Sequence, residues 1–318
     1  MAGYLCLISN GQSIFEVASP EAEKIRALTY GFLIAAAGVM LLIVLLTIYI
    51  SVKFRAKATS VEPIQIKGNR KVEILMVGFP LVLVIGFFFW SIKTMREVLP
   101  PHGDGPPDII ITGHQWWWEA VYPGSKVVAA NEIYLPTGKR LLIELNAADV
   151  IHDWWVPALG GKMDLIPGMV NHLWVTINKP GTYEGTCSEF CGQQHAWMRI
   201  RVVAQSPEDH EQWLQAHSQR TELPMGTLAL EGKALFMKAS CSNCHSVQGT
   251  IATGGEGPDL THFASRKTML AGMMDNNPEN VYKWLTDPQK VKPGSHMPRF
   301  IFAKDSIAAL TAYLTQLK

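Results

Sequence analysis

Two long apolar runs decide most of what this chain can fold into. Tyr30 to Val52 is almost wholly apolar, with Thr47, Tyr49 and Ser51 only near its end, and Ile74 to Ile92 is equally apolar. About 20 such residues span a bilayer as a helix, and uncharged runs of this length are rare in soluble domains. Both read as transmembrane helices. The segment between them holds Lys53, Arg55, Lys57, Lys67, Arg70 and Lys71 against Glu62 and, at its end, Glu73. Basic loops stay in the cytoplasm, so residues 1–28 and everything after about residue 95 are expected outside.

Residues 1–28 carry no basic stretch ahead of an apolar core, so no cleavable signal peptide is expected. Cys6 follows Gly3-Tyr4-Leu5, a poor small-residue approach to a lipidated cysteine, and reads as a buried or incidental thiol. Glu73 stands at the cytoplasmic start of the second helix, ahead of Pro80. A carboxylate there is ordinarily a solvated end residue, although ionisable groups near membrane spans also feed proton paths.

The 318 residues leave room for two modest domains beyond the hairpin, and a net charge of +1 gives no reason to expect nucleic acid. Five cysteines fall as Cys6 and two pairs, Cys187/Cys191 and Cys241/Cys244, each pair followed by a histidine. That grouping is cofactor chemistry rather than a disulfide framework.

The proline-rich stretch from Pro100 to Pro107 cannot continue a helix and reads as a linker. Short strand-like runs follow: Asp108 to Trp118, Glu132 to Leu135, Lys139 to Leu145, His172 to Ile177 and Met198 to Val203. In the last, Ile200 and Val202 alternate with Arg199 and Arg201, which puts one face inward and the other outward. Turns are marked by Pro123-Gly124, Pro136-Thr137-Gly138, Pro167-Gly168 and Pro180-Gly181, and such spacing argues for a β-sandwich.

Between the last two of those runs lies Cys187-Ser-Glu-Phe-Cys191-Gly-Gln-Gln-His195-Ala-Trp-Met198. Thiolate, imidazole and thioether together suit copper. A mononuclear blue-copper site uses one cysteine, so the second thiolate calls for something else, and two thiolates can bridge two copper ions. A bridged, compact pair sharing one unpaired electron moves little on reduction and suits electron transfer. The competing readings are a disulfide and a Cys2His2 zinc site, although zinc has no use for Met198. A further histidine must arrive from elsewhere. His152 is the best placed, just after a strand-like run, whereas His114 falls within one and His172 at the start of one.

Residues 207–219 look helical and polar, and Thr221 to Gly226 reads as a second linker. Beyond it, Cys241-Ser-Asn-Cys244-His245 is the C-x-x-C-H pattern of covalent haem attachment, with a redox or zinc knuckle as the competing reading. The sixth iron ligand should be a distant Met or His. Met297, beside Pro298, is the choice over His296, Met269, Met273 and Met274. Helices over Leu230–Ser240, Pro278–Thr286 and Asp305–Leu317 would wrap the haem.

With these motifs in view, the chain resembles subunit II of haem-copper cytochrome c oxidase with a class I cytochrome c fused at its C-terminus. The resemblance runs from about residue 25 onward. It rests on Gly113-His-Gln-Trp116-Trp-Trp118, His152 with Val156-Pro-Ala-Leu159, Asp164-Leu-Ile-Pro-Gly168, Pro180-Gly-Thr-Tyr183 and the Cys187–Met198 cluster. In the second domain it rests on Gly232 and Phe236, Gly257-Pro258-Asp-Leu260, Met297-Pro298 and Tyr313. It implies an N-terminal outer segment (1–28), a two-helix transmembrane hairpin (29–95) and an all-β cupredoxin-like sandwich (108–206). A helical linker (207–224) and a small all-α cytochrome c domain (225–318) complete the chain.

The resemblance also implies a binuclear copper centre, CuA, bridged by Cys187 and Cys191. His152 and His195 would each hold one copper, Met198 would be a weak axial ligand and Glu189 would give its backbone carbonyl. The Glu189 side chain would reach a magnesium ion at the interface with subunit I. Trp116 would be the point where electrons enter the copper domain, and Glu73 would admit protons to a channel of subunit I. One covalent haem c would be held by Cys241, Cys244, His245 and Met297, with the Pro258 carbonyl orienting His245.

The implied role is electron input to a proton-pumping terminal oxidase in a bacterial inner membrane, with both redox domains on the periplasmic side. Its partners would be subunits I and III, membrane lipid, and a donor that is either a soluble cytochrome c or a quinol-oxidising complex. The oxygen-reducing site would lie in another chain. Two rivals are a copper and haem subunit of a nitric oxide reductase and a membrane-anchored carrier with no fixed partner; a carrier needs only one anchor.

Overall fold

The computed structural model describes residues 13–56, 64–65, 68–99, 105–220 and 224–318. Cys6, the loop residues Lys57, Glu62 and Lys67, the start of the proline-rich linker and the start of the second linker lie outside them.

Residues Glu23–Leu99 make one compact unit. It consists of helix α1 (Pro20–Lys53), from its fourth residue, and helix α2 (Arg70–Val98). At about 1.5 Å per residue, either exceeds the ~30 Å hydrocarbon thickness. Their apolar middles are exposed all round within the chain, as lipid-facing helices require. Asn69 caps α2 by accepting from the Lys71 and Val72 amides. Phe32 stacks on Phe87 at 4.1 Å, and Lys24 pairs with Glu97 at 3.2 Å, so the two helices run antiparallel. Glu73 lies in the first turn of α2.

The remainder forms the second unit. Ten strands open it: β1 (Ile109–His114), β2 (Trp117–Val121), β3 (Val128–Ala130), β4 (Glu132–Pro136), β5 (Arg140–Ala147), β6 (His152–Trp155), β7 (Met163–Leu165), β8 (Asn171–Thr176), β9 (Gly181–Cys187) and β10 (Arg199–Gln205). They make two sheets, β3-β2-β1-β5-β8 and β4-β10-β9-β6-β7. Alternation along β10 buries Ile200, Val202 and Ala204 against Ile109, Ile111, Trp118, Ile143 and Leu145 of the facing sheet. Residues Ala18 and Ser19 are tied to this sandwich: the Ser19 hydroxyl donates to the Leu159 carbonyl at 2.7 Å, and the Ala18 amide donates to Ala158.

The strand pattern departs from expectation in two places. Asp108–Trp118 is not one strand but the start of a hairpin, pairing Gly113 with Trp118 and His114 with Trp117. The turn has no Gly or Pro; it is held by Asp149, whose carboxylate takes the Gln115 amide at 2.6 Å. Strands β3, β6, β7 and β9 went unpredicted because they are short or carry polar residues on both faces. His152 follows β5, as expected, and itself opens β6.

Helix α3 (Pro207–His217) starts with Pro207 at its first position and Ser206 accepting from the Asp209 amide. Rather than bridging free space, α3 lies on the sandwich: Trp213 stacks on Tyr134 at 4.4 Å, and His217 stacks on Trp213 at 4.4 Å. Burial, then the neighbouring His262, push His217 down to about 4. The unfolded chain therefore binds more protons between pH 6.5 and 4, so stability is full above pH 6.5 and lost as pH falls through this window. Thermal melts should show an acid-sensitive transition over that range, and His217→Phe should flatten it; an unchanged pH profile in the variant would remove this histidine as the cause.

The last domain comprises α4 (Thr227–Lys238), α5 (Cys241–Cys244), a two-stranded ribbon of β11 (Thr268–Met269) and β12 (Met274–Asp275), α6 (Pro278–Thr286), α7 (Pro288–Val291) and α8 (Lys304–Leu314). Its core gathers Phe236, Val247, Leu260, Val281, Leu285, Leu310 and Tyr313.

Candidate copper and haem sites

The sandwich brings a set of soft donors to one end. Cys187 closes β9 and Cys191 follows in the loop; both are buried free thiols with sulfurs 3.8 Å apart, well beyond a disulfide bond. Pairing of β6 with β9 carries His152 across, and its Nδ1 stands 4.0 Å from the Cys187 sulfur. His195 Nδ1 stands 3.6 Å from the Cys191 sulfur, and Met198 Sδ lies 3.8 Å from it. The Glu189 carbonyl is 3.2 Å from Cys187. The donors thus fall into two halves, each with one histidine, around a sulfur pair. Neither rival histidine arrives: His114 stacks on Trp117 at 4.1 Å and His172 faces Glu144.

The residues behind the donors fix their orientation. Asp149 Oδ1 takes His152 Nε2 at 2.8 Å, which leaves Nδ1 for a metal. Carboxylate–histidine pairs of this kind orient metal-ligating imidazoles. Nothing in the sequence singled out Asp149 beyond its position three residues before His152. The sulfur pair gives up one proton easily and the second with difficulty. The hydrogen bond between the sulfurs holds Cys187 down at about 4, and that bond with burial pushes Cys191 far up. A cation between the sulfurs offsets the repulsion of two adjacent thiolates, so this donor set fits a soft metal.

In the helical domain, a cavity of about 510 Å³ is lined by Cys241, Cys244, His245, Met297, Phe236 and Leu285, among others. That is the size of a cofactor pocket. His245 Nδ1 bonds the Pro258 carbonyl at 2.8 Å, leaving Nε2 for a metal. Gly257 lies against the ring: a Cβ there would come within 2.6 Å of it. Met269 and His296 also line the cavity, but His296 lies against Trp116, ring centres 5.2 Å apart. The fit to a covalently tethered macrocycle between His245 and Met297 is good. Trp116 is 8 % exposed, and its Nε1 donates to the Cys191 carbonyl at 3.0 Å. One indole thus touches both the copper loop and the residue before Met297.

Taken together, two apolar helices, a sandwich with a soft-metal pocket and a helical domain with a haem-attachment motif define a membrane-anchored redox protein. Residues 8–94 match the family described as cytochrome c oxidase subunit II, transmembrane domain, and residues 125–205 match its periplasmic domain. Residues 229–318 match cytochrome c. The cytochrome c oxidase subunit 2 of Alkalihalophilus pseudofirmus is 35% identical, over 98% of this chain and 93% of its own. That of a Bacillus species is 31% identical, over 80% and 77%. The periplasmic domain of subunit II of the cytochrome oxidase of Bradyrhizobium japonicum matches 36% of this chain and 95% of its own, with 31% identity and a TM-score of 0.35. The chain belongs to the cytochrome c oxidase subunit 2 family and carries a cytochrome c domain. These families imply copper and haem c, and electron input to a haem-copper oxidase.

Proposed function

We propose that this chain is the electron-input subunit of a proton-pumping terminal oxidase in a bacterial inner membrane, with its two redox domains on the periplasmic side. Cys187, Cys191, His152, His195, Met198 and the Glu189 carbonyl would hold the copper centre, with the two thiolates shared between two ions. Cys241 and Cys244 would tether the haem through thioethers, and His245 and Met297 would ligate its iron. Copper and haem c supply one-electron chemistry without proton transfer. His152 and His245 are oriented by Asp149 and the Pro258 carbonyl. Trp116 touches both the Cys191 carbonyl and the His296 ring and would lie on the electron's path between the two sites. Subunits I and III complete the complex, a soluble cytochrome c or a quinol-oxidising complex feeds it, and oxygen is reduced in subunit I. Glu189 also meets a magnesium ion at that interface, and Glu73 admits protons to a channel of subunit I.

The observation that carries this reading is the Trp116 bridge between the copper loop and the Met297 loop. The test is metal and haem content with an electron paramagnetic resonance spectrum on the full chain matured with haem. Two coppers per covalent haem, sharing one unpaired electron, is the expected result. Zinc, or a single copper, overturns the binuclear assignment. Co-purification with an oxygen-reducing, haem-containing subunit separates the relay from a free-standing carrier.

A further inference from the structure

The boundary between sandwich and haem domain buries two opposite charges that do not pair with each other. Lys292, at the end of α7, is 4 % exposed. Its ammonium donates to the carbonyls of Trp116 at 3.1 Å, Trp197 at 3.3 Å and Leu270 at 3.2 Å. An ammonium has three hydrogens, and three carbonyls take them. Two of those carbonyls belong to the copper domain, one beside the bridging indole and one beside Met198. Glu132, on β4 of the sandwich and 1 % exposed, reaches the other way. Its carboxylate accepts from the Lys267 amide at 3.0 Å, the Thr268 amide at 2.8 Å and the Thr268 hydroxyl at 2.9 Å.

Resting on the relay reading above, we propose that Lys292 is a positioning residue for electron transfer. Its ammonium pins the backbone flanking the copper loop to the haem domain and keeps a fixed positive charge near Cys191, while Glu132 secures the opposite side. The electron leaves the ferrous haem, which becomes ferric, and reduces the copper centre by one electron with no proton moved and no domain displaced. Three features support a fixed seat. The Arg199 amide donates to the Ala271 carbonyl, and Gln194 donates to the Pro293 carbonyl. Gly294 approaches so closely that a Cβ would lie 2.1 Å from the Gln193 side chain. Burial lowers the Lys292 ammonium to about 8. A neutral side chain of similar length would leave three carbonyls without donors, a cost borne only while the domains stay together.

The test compares the full, haem- and copper-loaded chain with Lys292→Met and Glu132→Gln. In the parent, the haem-to-copper rate after flash reduction is the same at low and high salt. Exchange of the Lys267, Thr268 and Arg199 amides is slow. In Lys292→Met those amides exchange about tenfold faster or more, as loss of one net interaction requires. The copper potential falls while the haem potential stays, and the transfer rate becomes salt-dependent. Glu132→Gln raises exchange without moving the copper potential, and serves where Lys292→Met does not fold. Unchanged exchange and unchanged copper potential in Lys292→Met overturn the proposal, as does a parent rate that falls with salt. Amide exchange is read without electron flow, so failure of the relay reading and failure of the pin are told apart.

Discussion

Cys191→Ser is expected to abolish the shared-electron copper spectrum and reduce oxygen consumption by the assembled oxidase to background, while haem c stays reducible. Its sulfur lies within 3.8 Å of Cys187, His195 and Met198, so every half of the donor set loses a neighbour at once. Loss of outer-shell partners alone typically costs 10–100-fold in metal affinity, so removing a bridging thiolate should weaken copper retention by on the order of 100-fold or more. Asp149→Asn should give the milder loss, because it disturbs only the orientation of His152. Copper content and the paramagnetic spectrum of the purified variants check both. A Cys191→Ser protein with the parent's spectrum would sink the bridged assignment.

Trp116→Phe should leave both cofactors in place and slow the step between them. Phenylalanine keeps most of the buried ring but loses the Nε1 bond to the Cys191 carbonyl, worth about 1 kcal/mol of stability. Reduction of the haem by an added donor should be normal. The following transfer to copper should slow by on the order of 10- to 100-fold, given how steeply rates depend on small misplacements. Flash reduction followed separately at the haem and copper bands measures this directly. Equal transfer rates in variant and parent would mean that the indole is packing and that another route carries the electron.

The copper loop was legible because its donors are contiguous: Cys187, Cys191, His195 and Met198 are a local pattern, and the fold needed only to close it. His152 was harder. It comes to Cys187 through the pairing of β6 with β9, and β9 is a strand whose mixed residues carry no clear alternation. The hairpin at Gln115 and Trp116 was missed because Asp149, a side chain from a distant loop, supplies the turn in place of Gly or Pro. The domain boundary was illegible for a different reason. Lys292 and Glu132 bind backbone carbonyls and amides, which every residue has, so no partner side chain advertises the contact.

Trp116 sits beneath His296, with little of the indole open to solvent. On the relay proposed above, a mobile carrier would therefore deliver its electron at the haem domain rather than at this indole. On that proposed relay the supply of electrons to copper would be first-order, with no Michaelis constant and no competition. Any dependence of oxygen uptake on carrier concentration would then belong to the preceding reaction at the haem. Titrating an external carrier against this oxidase should report the affinity of the cytochrome domain for that carrier and nothing about the copper site.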